Sequence, residues 1–549
     1  MTFATNEAVD FLVLGAGAAG GVVAKELAVA GFKVVVLEQG PYLRETDYSH
    51  DEIKYSFLPG LTNDPKVQPV TYRRTEAERA RPVKAIEYGR QVGGGSVHFT
   101  ANYWRFHESD FHELSLLGEV SGADLVDWPI TYSDLEPYYT KAEYELGISG
   151  LAGANPFEAP RSKPYPLPPM PVKSSGVLFD HATRKLGLHP FPAPVAILSQ
   201  PYQGRAACVN CGFCESFGCE MRAKSSALVS VIPVAEKTGN CEVRAECYVR
   251  KIETDDAGRV TGAIYFDHNR REIFQRARAI FVCANGAETP KLLLMSKSKR
   301  FPEGLANSSG LVGKYLMWDN GGEAEGLFEH PLNEYKGIQV TRLIHDYYAS
   351  DPKRGFYGGG GIDARFDFYP ASFAINGLPP DAPKWGSDFK KMFETYFTRT
   401  MTLLAHTTSL AQAKNSVSLD PEVKDAWGLP AVRITFDHHP DDMATMKWIM
   451  ARQMEILQAA GALKTWSQSL ELVDNLPSRH LMGTCRMGND PRSSVVNAHS
   501  RTHDVPNLFL VDGSNFVTSG RQQPTATIQA LAYRAADYAI GAAKRGELS

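Results

Sequence analysis

The apolar residues near the start of the chain predict a strand, a helix and a second strand. Phe11–Leu14 and Lys33–Leu37 are short runs of β-branched and apolar residues, and Gly20–Ala30 between them has a helical pattern. Similar runs at Ala279–Cys283 and Leu508–Val511 predict two further strands. The βαβ unit indicates an α/β fold class.

A different pattern occupies the middle of the chain. From Ile362 to Phe368 every second residue is apolar, as in a strand of an antiparallel sheet. We place a second, substrate-facing domain around this segment, from about Leu327 to Arg433.

Composition restricts the class of protein. The chain has 549 residues, 43% hydrophobic and 22% charged, as in a globular protein with a large core. Its net charge of −4 gives no basic field for nucleic acid as the main partner. Glycines, Lys25 and Glu26 interrupt the apolar stretch Phe11–Ala30, so we expect neither a signal peptide nor a membrane span there.

A glycine-rich turn joins the first predicted strand to the helix. Gly15, Gly17 and Gly20 form the motif G-x-G-x-x-G, and the second strand ends in Glu38, 23 residues after Gly15. Such a turn lets a pyrophosphate approach the backbone at a helix N-terminus, and the carboxylate accepts from ribose hydroxyls. No basic residue lies beside Glu38, so a ribose 2′-phosphate is disfavoured. The motif predicts FAD or NAD.

Four of the eight cysteines, Cys208, Cys211, Cys214 and Cys219, have the spacing C-x2-C-x2-C-x4-C. This spacing is close to that of ferredoxin-type runs, which bind an iron–sulfur cluster. Zinc is an alternative because four thiolates also form a closed tetrahedral site, and disulfides or free thiols are a third. We expect the scattered cysteines to be buried apolar residues: Cys241, Cys247, Cys283 and Cys485.

Several motifs farther along the chain identify a family. A second glycine-rich element extends from Gly89 to His98, and a third from Ala284 to Leu294. Near the end of the sequence stand His480-Leu-Met-Gly-Thr-Cys-Arg-Met-Gly, Val511-Asp-Gly-Ser-Asn and Gln523-Pro-Thr. Taken in order, these motifs resemble those of the glucose–methanol–choline (GMC) family of flavin oxidoreductases.

The resemblance implies a Rossmann-type FAD-binding domain, discontinuous in sequence, with an inserted substrate domain built on an antiparallel sheet. We expect residues 1–320 to form the FAD domain with its cap and the cysteine run, 321–470 the substrate domain, and 471–549 the return to the FAD domain with the catalytic motif. The implied FAD contacts are Gly15, Gly17, Gly20 and Glu38 at the ADP half, Val249 at the adenine, Gly94, Ser96 and Asn102 at the flavin, Asp512 and Gly513 at the pyrophosphate or ribityl chain, and Pro524 and Thr525 at the isoalloxazine.

The resemblance also implies the catalytic groups. His480 opens the segment that carries the family's active-site histidine, and an imidazole can take a hydroxyl proton near neutral pH. The family's second active-site residue, usually His or Asn, is here Gln523, whose amide can orient a hydroxyl but cannot act as a base. His98 follows the second glycine run, where some members attach the flavin covalently. A covalent bond to His98 and a noncovalent flavin packed beside it both remain open.

The cysteine run is similar to that of the catalytic subunits of gluconate, fructose and bacterial glucose dehydrogenases, which carry a three-iron cluster. This resemblance implies Cys208, Cys214 and Cys219 as ligands. A four-iron cluster is expected if Cys211 also binds.

We interpret the chain as an FAD-dependent dehydrogenase that oxidises a hydroxyl of a sugar, glycoside or sugar acid and passes electrons through the cluster to an external acceptor. The expected partners are a sugar or polyol substrate, a small helper subunit and a cytochrome, with no nucleic acid. The chain would be cytoplasmic, or periplasmic if it is exported folded with a signal-bearing partner. Alternatives are a GMC oxidase that uses oxygen, a lyase with structural FAD, and a nonenzymatic electron-transfer subunit, which His480 disfavours.

Overall fold

The central sheet is built from distant parts of the chain. The structure, a computed structural model, describes residues 2–318, 321–472, 476 and 478–548. The parallel strands lie in the order Cys241–Arg244, Val34–Leu37, Val9–Leu14, Glu272–Val282 and Leu508–Leu510. All residues of Val34–Leu37 are buried, as in a parallel sheet covered on both faces.

The strand Glu272–Val282 pairs with parallel neighbours along one half and with an antiparallel neighbour along the other. Its second half pairs in parallel with the strands on either side, and its first half pairs antiparallel with Val260–Phe266, which continues to Tyr248–Thr254. The predicted βαβ unit and both later strands are confirmed. The third strand begins earlier than predicted because its first half alternates between exposed and covered residues, so its sequence lacks a continuous apolar run.

Helices cover the central sheet. Ala18–Val29 follows the first strand and packs against Thr525–Lys544 and Ile232–Lys237. Thr525–Lys544 also packs against Tyr132–Leu146. Its buried face is rich in alanine, which lets these helices approach one another closely.

The second sheet is antiparallel and confirms the alternation in the middle of the chain. Its order is Lys464–Ser467, Glu323–Leu327, Thr400–Thr407, Gly360–Arg365, Arg342–Ile344 and Phe191–Pro192. Helices Pro440–Ala459 and Ser174–Lys185 pack on it. All residues of Gly360–Arg365 are buried, since the polar side chains of this strand form buried ion pairs.

A third sheet connects an early segment to a later hairpin. Its order is Ser416–Lys424, Pro430–Thr435, Val70–Arg73 and Arg81–Val83. Further helices are Glu113–Leu117, Glu288–Met295 and Gly386–Phe397. In the part of the chain that the structure describes, no helix is long and apolar enough to cross a membrane. The domain limits at residues 320 and 470 stay a prediction.

Candidate active site

A cavity of about 970 Å³ is lined by residues of both the central sheet and the antiparallel sheet. This volume suits a cofactor together with a small substrate. The predicted site residues on its wall are Gly15, Gly17, Glu38, Gly94, Ser96, His98, Val249, His480, Asp512, Gly513, Gln523, Pro524 and Thr525.

Two of the predicted FAD residues lie outside the cavity wall. A Cβ on Gly20 would lie 1.9 Å from the carbonyl oxygen of Gly15, so this glycine is required for close packing within the turn. Asn102 is buried, and both polar atoms of its amide lack a hydrogen-bond partner among the described residues. Its contact with the flavin stays a prediction.

The two glycine-rich elements meet at the cavity. Gly94 has a φ of +54°, and a Cβ on it would lie 2.7 Å from the Cα of Gly17. Helix Ala18–Val29 begins beside this contact, and its first residues line the cavity. Closely packed backbone at a helix N-terminus fits a pyrophosphate.

Two buried carboxyl groups flank this cradle. Glu38 accepts hydrogen bonds of 2.9 Å from the backbone N–H groups of Ala16 and Gly40, and burial raises its pKa to about 7. Asp512 accepts from the Thr289 hydroxyl at 2.6 Å and the Ser514 N–H at 2.7 Å, and burial raises its pKa. The glycine cradle, the helix N-terminus and the carboxyl of Glu38 together fit the ADP half of FAD.

The part of the second glycine-rich element that contains Ser96 is ordered by hydrogen bonds to the surrounding backbone. The Ser96 hydroxyl donates to the carbonyl oxygen of Gly93 and accepts from the Ala227 N–H, so it orders the loop. His98 is on the wall, and its Nε2 has no hydrogen-bond partner within the described ranges. Burial, with the nearby positive charges of Arg479 and Lys224, lowers the pKa of His98 to about 3. The imidazole is therefore neutral, the form in which a ring nitrogen is nucleophilic.

The structure brings His480 and Gln523 to the same cavity. The backbone of His480 has a φ of 52°, an uncommon left-handed conformation that functional residues often adopt. Its segment is anchored two residues later, where Met482 exchanges backbone hydrogen bonds of 2.8 and 2.9 Å with Met317. The Gly483 N–H then donates to the carbonyl oxygen of Gly513 at 3.0 Å.

A third polar group in the cavity was not predicted from the sequence. Nε2 of His406 lies 3.0 Å from Oδ2 of Asp363, and Arg365 donates to both oxygens of the same carboxylate at 2.6 and 2.5 Å. Although burial opposes ionisation, Arg365 and the hydrogen bonds hold the pKa of Asp363 below its ordinary value. Gln523 Nε2 lies 3.3–3.4 Å from the ring nitrogens of His406. The alternation of Asp363, Arg365 and Asp367 along one strand face was the available signal.

A second ion-pair cluster joins the cysteine run to the catalytic segment. Arg479, beside His480, forms a short ion pair with Glu215, and its Nη2 lies 3.1 Å from Glu87. Burial raises the pKa of Glu215, but the guanidinium groups of Arg479 and Arg365 outweigh it and hold this pKa below its ordinary value. No motif indicated that Glu215, the residue following Cys214, would line the cavity.

The four clustered cysteines are free thiols in one loop. Cys214 is buried, Cys208 and Cys219 are partly buried, and Cys211 is exposed. Burial raises the pKa of Cys214 to about 12, and the other three thiols add to this shift. Among the residues that the structure describes, no set of three or more His, Cys, Asp or Glu side chains is arranged to hold a metal ion. The thiols are thus the donor type that iron–sulfur clusters require, but they are not assembled as a ligand set.

The four scattered cysteines are all buried, which confirms the prediction for them: Cys241, Cys247, Cys283 and Cys485.

Comparisons with known proteins agree with the motifs. Two sequence profiles of GMC oxidoreductases match residues 9–317 and 411–532. The 2-methyl-1,2-propanediol dehydrogenase of Mycolicibacterium austroafricanum is 36% identical over 96% of this chain and 94% of that protein. The gluconate 2-dehydrogenase flavoprotein of Pantoea cypripedii is 28% identical over 96% of this chain and 92% of its own length. The fructose dehydrogenase large subunit of Gluconobacter japonicus is 29% identical over 98% of both chains.

Solved structures share the fold. Pyridoxine 4-oxidase from Mesorbium loti has a TM-score of 0.63 at 17% identity, covering 96% of this chain and 99% of that one. Formate oxidase has a TM-score of 0.67 at 15% identity and covers 100% of both chains. With both sequence profiles matched and a relative that is similar over nearly its whole length, this chain belongs to the GMC oxidoreductase family.

Proposed function

We propose that the chain is an FAD-dependent dehydrogenase that oxidises a hydroxyl of a sugar, glycoside, sugar acid or polyol to a carbonyl. The observation that carries this proposal is the cavity, which joins the dinucleotide cradle at Gly17 and Glu38 to His480 and Gln523. Relatives named for a diol, gluconate and fructose support the substrate class.

Different residues of the cavity have different roles in the proposed alcohol oxidation. His480 takes the hydroxyl proton, and the Gln523 amide donates to the substrate oxygen as a carbonyl forms. Bound FAD supplies the acceptor for the hydrogen that leaves carbon with its electron pair. The wall residues Gly15, Gly17, Glu38 and Gly94 would hold this cofactor, and we propose that His98 attaches it covalently.

The cysteine run would give this enzyme an exit for single electrons if binding of iron drew its thiols together. Cys208, Cys214 and Cys219 would hold a three-iron cluster, or a four-iron cluster together with Cys211, and such a cluster supplies one-electron transfer. The contacts of the loop support this role. The Lys224 ammonium donates to the carbonyl oxygens of Phe99 at 3.1 Å, Cys214 at 2.5 Å and Phe217 at 2.8 Å, so the loop is tied to the flavin segment.

Electron export requires a partner. The matched gluconate and fructose dehydrogenases are named as a flavoprotein and a large subunit. We therefore propose a small helper subunit and a cytochrome as partners, and a location in the cytoplasm or, after export with a signal-bearing partner, in the periplasm.

The test is anaerobic mixing of the purified holoenzyme with 2-methyl-1,2-propanediol, D-fructose, D-gluconate and paromamine in turn. Loss of the oxidised flavin absorbance near its visible maximum identifies a substrate. The reduced enzyme is then divided between air and an artificial one-electron acceptor. Reoxidation by the acceptor and slow reoxidation by air are expected for a dehydrogenase.

The alternatives predict other results. An oxidase would be reoxidised rapidly by air. A relative that is 28% identical is named paromamine 6'-oxidase, so this alternative is included in the test. A lyase with structural FAD would convert its substrate without any change in flavin absorbance. Failure of every compound in the panel to reduce the flavin would contradict the proposed function.

A further inference from the structure

We propose that Glu323 is a specificity-determining residue, which binds hydrogen-bond donors of the substrate, hydroxyl or amino groups, and excludes sugar acids from the cavity. This inference rests on the proposed function, in which the cavity holds the substrate beside His480 and Gln523. It narrows the substrate class to neutral and cationic sugars and polyols. It also assigns a binding role to a residue of the antiparallel sheet.

Glu323 is the first residue of strand Glu323–Leu327 and lines the cavity. Its backbone carbonyl accepts a hydrogen bond of 3.0 Å from the Gln468 N–H, and the carbonyl of the preceding residue accepts one of 3.0 Å from the Ala405 N–H. Leu404, which pairs with Glu323 in register, lines the same cavity. Because paired residues project from the same face of a sheet, the Glu323 side chain is presented to the cavity by a rigid element.

The carboxylate of Glu323 lacks a partner among the residues that the structure describes. It forms no hydrogen bond and no ion pair with them. The residue is partly exposed and borders the cavity, so a ligand in the cavity can reach it. An ionised carboxylate accepts hydrogen bonds and donates none, so a hydroxyl or an ammonium group satisfies it and a second carboxylate does not.

Two arginines lie on the described part of the cavity wall, and each is paired with two carboxyl groups of the protein. The pairs are Arg365 with Asp363 and Asp367, and Arg479 with Glu215 and Glu87. No lysine lies on this described wall. A substrate carboxylate would therefore have to displace a carboxyl group of the protein before either guanidinium could bind it.

The carboxyl groups around Glu323 outnumber the arginines. Burial raises the pKa of Asp367 to about 7 against the opposing charge of Arg365, and the charge of Glu323 adds to the rise. Burial also raises the pKa of Glu325 to about 8, again with a contribution from Glu323. Among the described residues no set of three or more side chains is arranged to hold a metal ion. The missing positive charge therefore fits an organic ammonium group, and a further anion would be repelled.

Three compounds that differ only at carbon 1 test this inference. D-Gluconate, D-glucitol and D-glucamine carry a carboxylate, a hydroxymethyl group and an aminomethyl group there, and they share the rest of the chain. Titration calorimetry on FAD-loaded protein gives their dissociation constants at about pH 8, well above the ordinary glutamate pKa of about 4.3. The flavin is reduced beforehand under nitrogen, so that no compound is oxidised during the titration.

The variants are Glu323→Gln and Glu323→Ala. Glu329→Gln is the matched control, because this glutamate is exposed and lies just beyond the other end of the same strand. We expect glucamine to bind the wild type at least about 10-fold more tightly than gluconate, with glucitol between them.

Glu323→Gln removes the charge but keeps the shape and an acceptor. It should lower the preference for glucamine over gluconate by about 10-fold and leave the affinity for glucitol within about threefold of the wild type. Glu323→Ala should lower the preference equally and also weaken the binding of glucitol, since the acceptor is lost. The control variant should bind all three compounds as the wild type does.

Two binding results would overturn this inference: a wild type that binds gluconate as tightly as glucamine, or a preference that Glu323→Gln leaves unchanged. Failure of all three compounds to bind would overturn it as well. The proposed function stands in each of these cases if a compound of its panel, such as fructose, reduces the flavin. Because the titrations do not depend on turnover, the two outcomes are measured separately.

Discussion

The backbone N–H of Ser216 donates a hydrogen bond of 2.7 Å to the carbonyl oxygen of His98. Ser216 belongs to the cysteine run, and His98 is the candidate residue for covalent attachment of the flavin. The two motifs are far apart in sequence and are in direct contact in the fold. A change in the cysteine run can therefore alter the position of His98, and with it the environment of the flavin.

Replacement of His480 by Ala is predicted to lower the rate of flavin reduction by about 10²- to 10⁴-fold, the usual effect of losing a general base. FAD content should not change, because the cofactor cradle is formed by other residues. Stopped-flow absorbance under anaerobic conditions measures the rate, and His268→Ala is the control. A rate equal to that of the wild type would mean that another group takes the proton.

His98 is predicted to hold the flavin covalently, since its neutral Nε2 is buried at the cavity wall. Acid precipitation of the native protein should leave the yellow colour in the pellet. His98→Ala should release the flavin to the supernatant while still binding it before denaturation. Complete release from the native protein would exclude the covalent bond.

The cysteine run is predicted to bind about three irons per chain, or four if Cys211 is also a ligand. A three-iron cluster as isolated has an odd electron count, so an electron paramagnetic resonance signal is expected without reductant. Cys214→Ser and Cys219→Ser should lose iron and turn over slowly with a one-electron acceptor, but their flavin should be reduced by substrate at nearly the normal rate. Cys247→Ser, outside the run, should retain iron.

Anaerobically purified protein that contains stoichiometric zinc, or no metal, would contradict the cluster. The oxidase alternative would then become the leading one.

Mild acid is predicted to destabilise the protein. Burial lowers the pKa of His107 to about 3 and that of His438 to about 4, so the folded chain keeps these rings neutral while the unfolded chain protonates them near pH 6.5. The free energy of unfolding should therefore fall as the pH decreases from about 6.5 to 4. Thermal unfolding across this range measures the slope, and His107→Asn should make it shallower. An unchanged slope in the variant would show that His107 is protonated in the folded state.

The sequence predicted those parts of the site that local motifs encode. Gly17 and Glu38 belong to a glycine turn and a strand end, features that residues near one another in the chain determine. His480 and Gln523, which line the same cavity, were expected there only from the resemblance to a family.

The parts that could not be predicted depend on pairing between distant segments. The pattern at 362–368 indicated a strand with Asp363 and Arg365 on one face, but no periodicity states that His406 of the adjacent strand, which pairs with Gly361, contacts Asp363. The contact of the cysteine run with the cavity through Glu215 has the same origin. The pairing of Val70–Arg73 with Pro430–Thr435 likewise joins segments that are hundreds of residues apart.

The position of Leu508–Leu510 as the last strand of the central sheet determines when the enzyme can mature. During synthesis, Val9–Leu14 leaves the ribosome long before Glu272–Val282 and Leu508–Leu510, and helix Thr525–Lys544, which packs on the first helix, emerges after all of them. Nascent chains consequently expose unpaired, apolar strand edges for most of translation, a state that depends on chaperones to avoid aggregation. The cavity that would bind FAD is therefore complete only after Leu508–Leu510 and the helix Thr525–Lys544 have been synthesised.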